Sequence, residues 1–197
     1  SKEPLLDEIR SLMSRCSFSF TRQNEMKGLG HAIYTGRALV RDEAFGVVLA
    51  DDLCINEGGE GVLAQMMKIY ERYRCSVVAV MEVPREQTKS YGVVSGREIE
   101  DGLIMISDMV EKPDPADAPS NLAVIGRYIL TPDIFNILER TAPGKNGEIQ
   151  ITDALKTQAR EGMVIAYKFK GRRFDCGSVE GFVEATNYFY EREYGKN

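Results

Sequence analysis

The sequence predicts an α/β chain, with a mixed, mostly parallel sheet flanked by helices. Three observations carry this expectation. Residues 45–81 read strand–helix–strand. Short β-like runs broken by Gly, Asp and Pro follow Pro84. The 197 residues are 43% hydrophobic and 28% charged, as ordinary globular domains are.

In chain order, residues 3–15 suit a helix, with Leu5, Leu6, Ile9, Leu12 and Met13 at helical spacing. Ser17–Thr21 alternates polar and aromatic residues and reads as a short strand. Leu29–Val40 is helical, after Gly28 and Gly30. The run 45–50 is short, apolar and ended by two acids, as a buried parallel strand reads. Val62–Tyr73 follows as a helix, with Leu63, Met66, Met67, Ile69, Tyr70 and Tyr73 available for its buried face. Ser76–Met81 is the next buried strand, so a right-handed crossover is expected. Beyond Pro84, the runs Val93-Val94, Leu103–Ile106, Met109-Val110 and Leu122–Ile129 suggest hairpins in a mixed sheet. Asp114–Ser120 is a proline-stiffened loop. At Thr131-Pro132-Asp133 a helix starts, with Thr131 able to cap and Pro132 suited to the first turn. Glu148–Glu161 is a helix, Met163–Phe169 alternates like a strand, and Phe182–Glu193 closes as an aromatic-rich helix. Without an internal repeat or linker, residues 1–197 read as one domain.

Composition excludes several classes. A net charge of −5 offers no bulk attraction to nucleic acid or an anionic membrane. Ser1-Lys2-Glu3-Pro4 does not read as a signal peptide, and no apolar run approaches ~18 residues, so a cytoplasmic location is expected. Cys16, Cys54, Cys75 and Cys176 form no C-x-x-C pair and read as buried reduced thiols. One histidine, His31, argues against a His-rich zinc site and a Ser-His-Asp hydrolase, and reads as a packed or capping residue.

Four segments can carry chemistry. Asp51-Asp52 ends the strand 45–50, where ligands of open α/β sheets bind. Carboxylates there hold Mg²⁺ against phosphate oxygens, or form a solvated acidic loop or helix cap. Gln23–Ala32 joins a predicted strand to a helix. Gly28 and Gly30 allow close backbone approach to a planar or anionic ligand, and Gln23 can both donate and accept. A plain loop-to-helix turn explains the same residues. Glu111-Lys112 ends a β-like run. Adjacent strand side chains point to opposite faces, but a turn at the strand end brings both into one pocket. There Glu111 can accept from vicinal hydroxyls and Lys112 can meet a phosphate; a surface ion pair before a turn is the alternative. Asp175, after a basic stretch and beside Cys176-Gly177-Ser178, suits a shared metal or the N-cap region of the last helix.

These pieces, in this order, resemble the bacterial UTP–glucose-1-phosphate uridylyltransferases. The resemblance rests on Gly28-Leu29-Gly30-His31-Ala32, Val48-Leu49-Ala50-Asp51-Asp52, Tyr91-Gly92-Val93-Val94 and Val110-Glu111-Lys112-Pro113. It continues through Pro119-Ser120-Asn121-Leu122-Ala123, Gly126-Arg127-Tyr128, residues 147–153 and Asp175-Cys176-Gly177. It implies a Rossmann-like nucleotidyltransferase fold that makes UDP-glucose and pyrophosphate from UTP and α-D-glucose 1-phosphate with Mg²⁺. By the same resemblance Gln23 and Gly28 contact uracil, Asp51 and Asp175 hold the metal, and Gly92 offers its amide to the sugar. Glu111 then binds glucose hydroxyls and Lys112 its phosphate, so Lys112, Asp51 and Asp175 carry the reaction, in a homo-oligomer. Family members open with a strand and a G-x-G-T-R loop, absent here. The chain is therefore expected to match the C-terminal two-thirds of the family domain and to be catalytically incomplete alone. A sugar-1-phosphate thymidylyltransferase, a glycosyltransferase with a paired-acid metal site and a non-catalytic sugar-nucleotide-binding fragment are the alternatives.

Overall fold

A computed structural model describes residues 3–195. Its elements are α1 (Glu3–Arg15), α2 (Gly28–Thr35), β1 (Phe45–Val48), β2 (Asp52–Ile55), α3 (Val62–Tyr73), β3 (Ser76–Glu82), β4 (Gly92–Glu100) and β5 (Leu103–Glu111). They continue with β6 (Leu122–Leu130), α4 (Ile134–Arg140), α5 (Ile151–Glu161), β7 (Val164–Lys168), β8 (Arg172–Asp175) and α6 (Val179–Tyr194).

The main sheet has six strands in the order β1-β6-β3-β7-β5-β4, and β4 pairs again with the start of β6. Helices cover both faces. Along β3, Val78 and Val80 pack with α2, α4 and α5 through Ile33, Leu138 and Leu155. Val77 and Ala79 point the other way, onto Val62 and Met66 of α3. This is the period-two alternation of a strand whose two faces are both apolar, which is why 76–81 reads as a continuous hydrophobic run. All four of these β3 side chains are fully buried. Each such valine contributes about 1.5–3 kcal/mol of transfer free energy.

The expected α/β layering is present, but the balance of pairing differs. Only β3–β7 is a parallel neighbour pair; β1–β6, β3–β6, β4–β5, β4–β6 and β5–β7 are antiparallel. The cause is β6, which inserts between β1 and β3, together with the β4–β5 hairpin. A short apolar run does not encode the direction of a neighbour that arrives late in the chain. For the same reason β1 is not a buried parallel strand. It is a half-exposed edge strand, antiparallel to β6 from Phe45↔Leu130 to Val48↔Arg127.

Other boundaries moved for local reasons. Residues 17–21 form no strand; they have no partner edge, and Phe18 and Phe20 are exposed. The helix predicted over 29–40 closes at Thr35, and a 3₁₀ turn follows Gly36. The helix expected from Glu148 begins at Ile151, and the last helix begins at Val179. Thr131 does not cap α4. Its hydroxyl is engaged by Gln158 Nε2 at 2.9 Å and by Ser76 Oγ at 3.1 Å. Met67 of α3 is exposed, and in β7 Val164 to Ala166 are buried without alternating. Leu6, Ile9, Leu12 and Met13 of α1 are exposed, as is Cys16, and Cys54 and Cys176 are half-buried, so of the thiols expected to be buried Cys75 alone is; the Leu5 side chain lies outside the described residues. No described helix is long and apolar enough to cross a membrane.

The sequence reading did not anticipate β2 and β8. They form a separate antiparallel ribbon with the register Asp52↔Asp175, Leu53↔Phe174, Cys54↔Arg173. This ribbon sets one side of the site.

Candidate active site

The ends of β1, β4 and β5, the middle of β6, the start of α5 and the ribbon β2–β8 surround a cavity of about 370 Å³. Asp51, Gly92, Glu111, Lys112 and Asp175 all line it, together with Tyr91, Tyr128, Thr152 and Arg173. Three of the four segments singled out for their chemistry, Asp51-Asp52, Glu111-Lys112 and Asp175, thus meet on one cavity with Gly92, while the fourth reaches it only through Leu29.

On the hairpin side, β4 and β5 are in register at Gly92↔Glu111. Glu111 Oε2 accepts from Thr152 Oγ1 at 2.7 Å. A Cβ built on Gly92 would lie 2.4 Å from Thr152 Cγ2 and 3.2 Å from Glu111 Oε2, so only glycine fits there. Lys112 takes φ +46, left-handed backbone that non-glycine residues rarely adopt. The Lys112 N–H donates to Tyr91 O at 3.0 Å and holds the turn. This turn is what places the consecutive side chains of Glu111 and Lys112 on one pocket, with Nζ and Oε1 3.8 Å apart. The pair is therefore loose, and both groups stay available to a ligand.

On the opposite side, Asp51 closes the turn after β1 and Asp52 opens β2, and the two side chains diverge. Asp51 is exposed at the cavity, and its carbonyl accepts from Cys176 N at 2.7 Å. Asp52 is buried. Its Oδ1 is bonded by Arg173 Nε, and its Oδ2 accepts from Gly126 N at 2.7 Å. Arg173 also reaches Tyr91 Oη at 3.1 Å and Asp175 Oδ2 at 3.1 Å. Burial works against the Arg173 charge, but the hydrogen bonds to Asp52 and Tyr91 outweigh it and raise the pKa above its ordinary value. Burial, with Glu111 and Asp52 nearby, raises that of the Tyr128 hydroxyl.

Gly177 marks where two carboxylates converge. A Cβ there would lie 3.2 Å from Asp175 Oδ1 and 3.2 Å from Asp51 Oδ2. Asp51 and Asp175 thus face a common space, whereas Asp52 is withdrawn from it. Among the described residues no cluster of three or more His, Cys, Asp or Glu gathers as a complete metal cage. Two carboxylates open to solvent and substrate suit a hard cation such as Mg²⁺, which completes its shell with water and phosphate oxygens.

Gln23 and Gly28 are not among the cavity-lining residues. Gln23 Nε2 donates to Gly28 O at 3.1 Å and contacts His31 Nδ1 at 2.9 Å. Gly28, at φ +85, packs against Glu148 and Ile149; its neighbour Leu29 reaches the cavity. His31 is held by Gln23, in keeping with a packing role. Ser178 caps α6, its Oγ accepting from Gly181 N at 3.0 Å, so Asp175 is not needed as the cap. Sequence reasoning missed Tyr91, Thr152 and Arg173 as site residues. The spacing Arg173-x-Asp175 was a usable signal, because it puts both side chains on one face of a strand.

Fold and cavity together are those of a nucleotidyl transferase. The chain matches that family over residues 2–192 and belongs to it. More particularly, it is 66% identical to a UTP–glucose-1-phosphate uridylyltransferase of Pseudomonas aeruginosa, with 98% of this chain and 69% of that protein aligned. It superposes with a TM-score of 0.94 and 59% identity on a UDP-glucose pyrophosphorylase complexed with UDP-glucose, covering 97% of this chain and 72% of that one. A UTP-bound UGPase from Acinetobacter baumannii matches with a TM-score of 0.84 and 34% identity, covering 97% and 66%.

Proposed function

We propose that the chain serves the formation of UDP-glucose and pyrophosphate from UTP and α-D-glucose 1-phosphate by providing the sugar-phosphate and metal sites, and that residues 1–197 belong to a single nucleotidyltransferase domain. The observation that carries the site assignment is the convergence of Asp51, Gly92, Glu111, Lys112 and Asp175 on one cavity. Glu111 accepts from the hexose hydroxyls, and the Gly92 amide lies beside it. Lys112 Nζ binds the phosphate of glucose 1-phosphate and orients its oxygen toward the α-phosphorus of UTP. Such in-line transfer asks the protein for positioning and charge neutralisation rather than for covalent chemistry. Asp51 and Asp175 would hold a divalent cation such as Mg²⁺, which would supply charge neutralisation at phosphate oxygens. Gln23 and Gly28 are assigned to the uracil end of the site, next to Leu29 on the cavity wall. The protein works in the cytoplasm as a homo-oligomer.

Calorimetric titration of UDP-glucose tests this reading. Saturable binding is expected, and Glu111→Ala is expected to abolish it. Binding that Glu111→Ala leaves unchanged would refute the sugar assignment. In a protein that also carries the G-x-G-T-R loop, Lys112→Ala is expected to lower turnover about 10²–10³-fold, the usual cost of one charge-stabilising donor.

A further inference from the structure

The buried pair Asp52–Arg173 has no place in the chemistry above, and neither does the Tyr91 hydroxyl. Both nevertheless converge on Asp175. In the ribbon register Asp52 lies directly opposite Asp175, a pairing of like charges that destabilises a sheet when left alone. Arg173, two residues before Asp175, projects from the same strand face and sits between the two carboxylates. The side chains of Asp52 and Arg173 are 7% and 8% exposed, so neither reaches a ligand freely. Asp175 is 37% exposed. One of its oxygens, Oδ2, is fully engaged: Tyr91 Oη donates to it at 3.0 Å and Arg173 Nη2 lies 3.1 Å away. The other, Oδ1, accepts only from Gly177 N, at 3.2 Å, on the side that Asp51 shares. The anchor of the chain of contacts is Gly126. Its N–H holds Asp52 Oδ2, and a Cβ there would come within 2.5 Å of that oxygen.

We propose that Tyr91, Arg173 and Asp52 are positioning residues that turn Asp175 so that Oδ1 faces Asp51, preforming the carboxylate pair for a divalent cation. Asp52 also offsets the Arg173 charge, which would otherwise repel that cation from Asp175. The proposal rests on the assignment of Asp51 and Asp175 as metal ligands. Hydrogen-bond partners of ligating carboxylates typically change metal affinity 10–100-fold when removed.

The test is direct titration of Mn²⁺ into protein saturated with UDP-glucose, read by electron paramagnetic resonance of the free ion. Tyr91→Phe keeps the ring against Arg173, whose guanidinium carbon is 5.2 Å from the ring centroid, and removes only the hydroxyl. It is expected to weaken Mn²⁺ binding about tenfold, with UDP-glucose affinity in the absence of metal and the melting temperature unchanged. Unaltered Mn²⁺ affinity would overturn the proposal. An equal loss of metal-free UDP-glucose affinity would also overturn it, since Tyr91 would then act on the substrate itself. Asp52→Asn, which keeps the shape but not the charge, is expected to weaken Mn²⁺ binding in a way that added salt reduces; unaltered affinity there removes Asp52 from the device. Wild-type protein that binds no Mn²⁺ refutes the metal-site assignment as well, which separates that failure from failure of the positioning role alone.

Discussion

The two sides of the cavity are built by different means. The ribbon side is held by a buried ion pair, with Asp52 bonded to Arg173 and to the Gly126 amide, and Asp175 tied at one oxygen. The hairpin side is held by one hydroxyl contact, Thr152 to Glu111, and by a left-handed residue at Lys112, whose side chain is 54% exposed. The contrast teaches where each chemistry needs rigidity. On the roles proposed for them, two carboxylates that share a cation gain from a fixed separation before it arrives, whereas a glutamate and a lysine that grip a sugar phosphate can close upon it.

The largest effect that sharpens this contrast is expected from Arg173→Ala. It leaves Asp52 charged, buried and unpaired, which typically costs 3–5 kcal/mol. In a chain of this length that lowers the melting temperature by about 10 °C, measured by scanning calorimetry. The neighbouring Asp51→Asn is exposed and is expected to leave the melting temperature within about 2 °C, because surface changes stay near ±0.5 kcal/mol. Equal shifts in the two variants would break the claim that only one of the adjacent aspartates is structural.

A smaller effect is expected on the hairpin side. Thr152→Val removes the hydrogen bond to Glu111 while keeping the volume. The apparent affinity for glucose 1-phosphate is expected to fall about three- to tenfold, the worth of one hydrogen bond, with turnover at saturation little changed. A loss confined to turnover would mean that Thr152 serves the chemical step instead.

The smallest concerns Asp108 of β5, which pairs with Lys156 at 2.6 Å. The hydrogen bond from Lys156 holds its carboxyl below the ordinary value, with burial opposing. A depressed carboxylate stabilises the fold above its unfolded pKa, near 4, and that contribution is lost as pH falls through the folded value. Lys156→Met is therefore expected to lower stability at pH 7 by about 0.5 kcal/mol or less, the pair being partly exposed, and to do nothing near pH 2. The same loss at both pH values would show that Lys156 acts through packing.

Much of the architecture was legible in the residues. The continuous apolar run of β3 announced a strand buried on both faces. The periodicity of residues 62–73 marked α3, that of 148–161 marked α5 three residues early, and that of 182–193 marked α6 three residues late. The alternation at 17–21 misled because alternation signals a strand only when an edge is available to pair. The direction of β1 was not legible, since its partner β6 lies some eighty residues further on. In the site, Asp51, Glu111, Lys112 and Asp175 were visible as chemistry at element ends. Tyr91, Thr152 and Arg173 were not, because their roles are contacts with residues distant in sequence.

By itself, then, the sequence determined which residues could do chemistry and where most helices and strands lie. Those properties follow from side-chain type and from periods of 3.6 and 2 along the local chain. It also pointed to a turn at Glu111-Lys112 or a surface ion pair there, and the left-handed backbone at Lys112 supplies the turn. Only the tertiary structure decided between Asp51 and Asp52. The two are chemically identical neighbours, and what separates them is which one meets the Gly126 amide and the Arg173 guanidinium. Burial, pairing and orientation depend on contacts across the sheet, and no local pattern contains them.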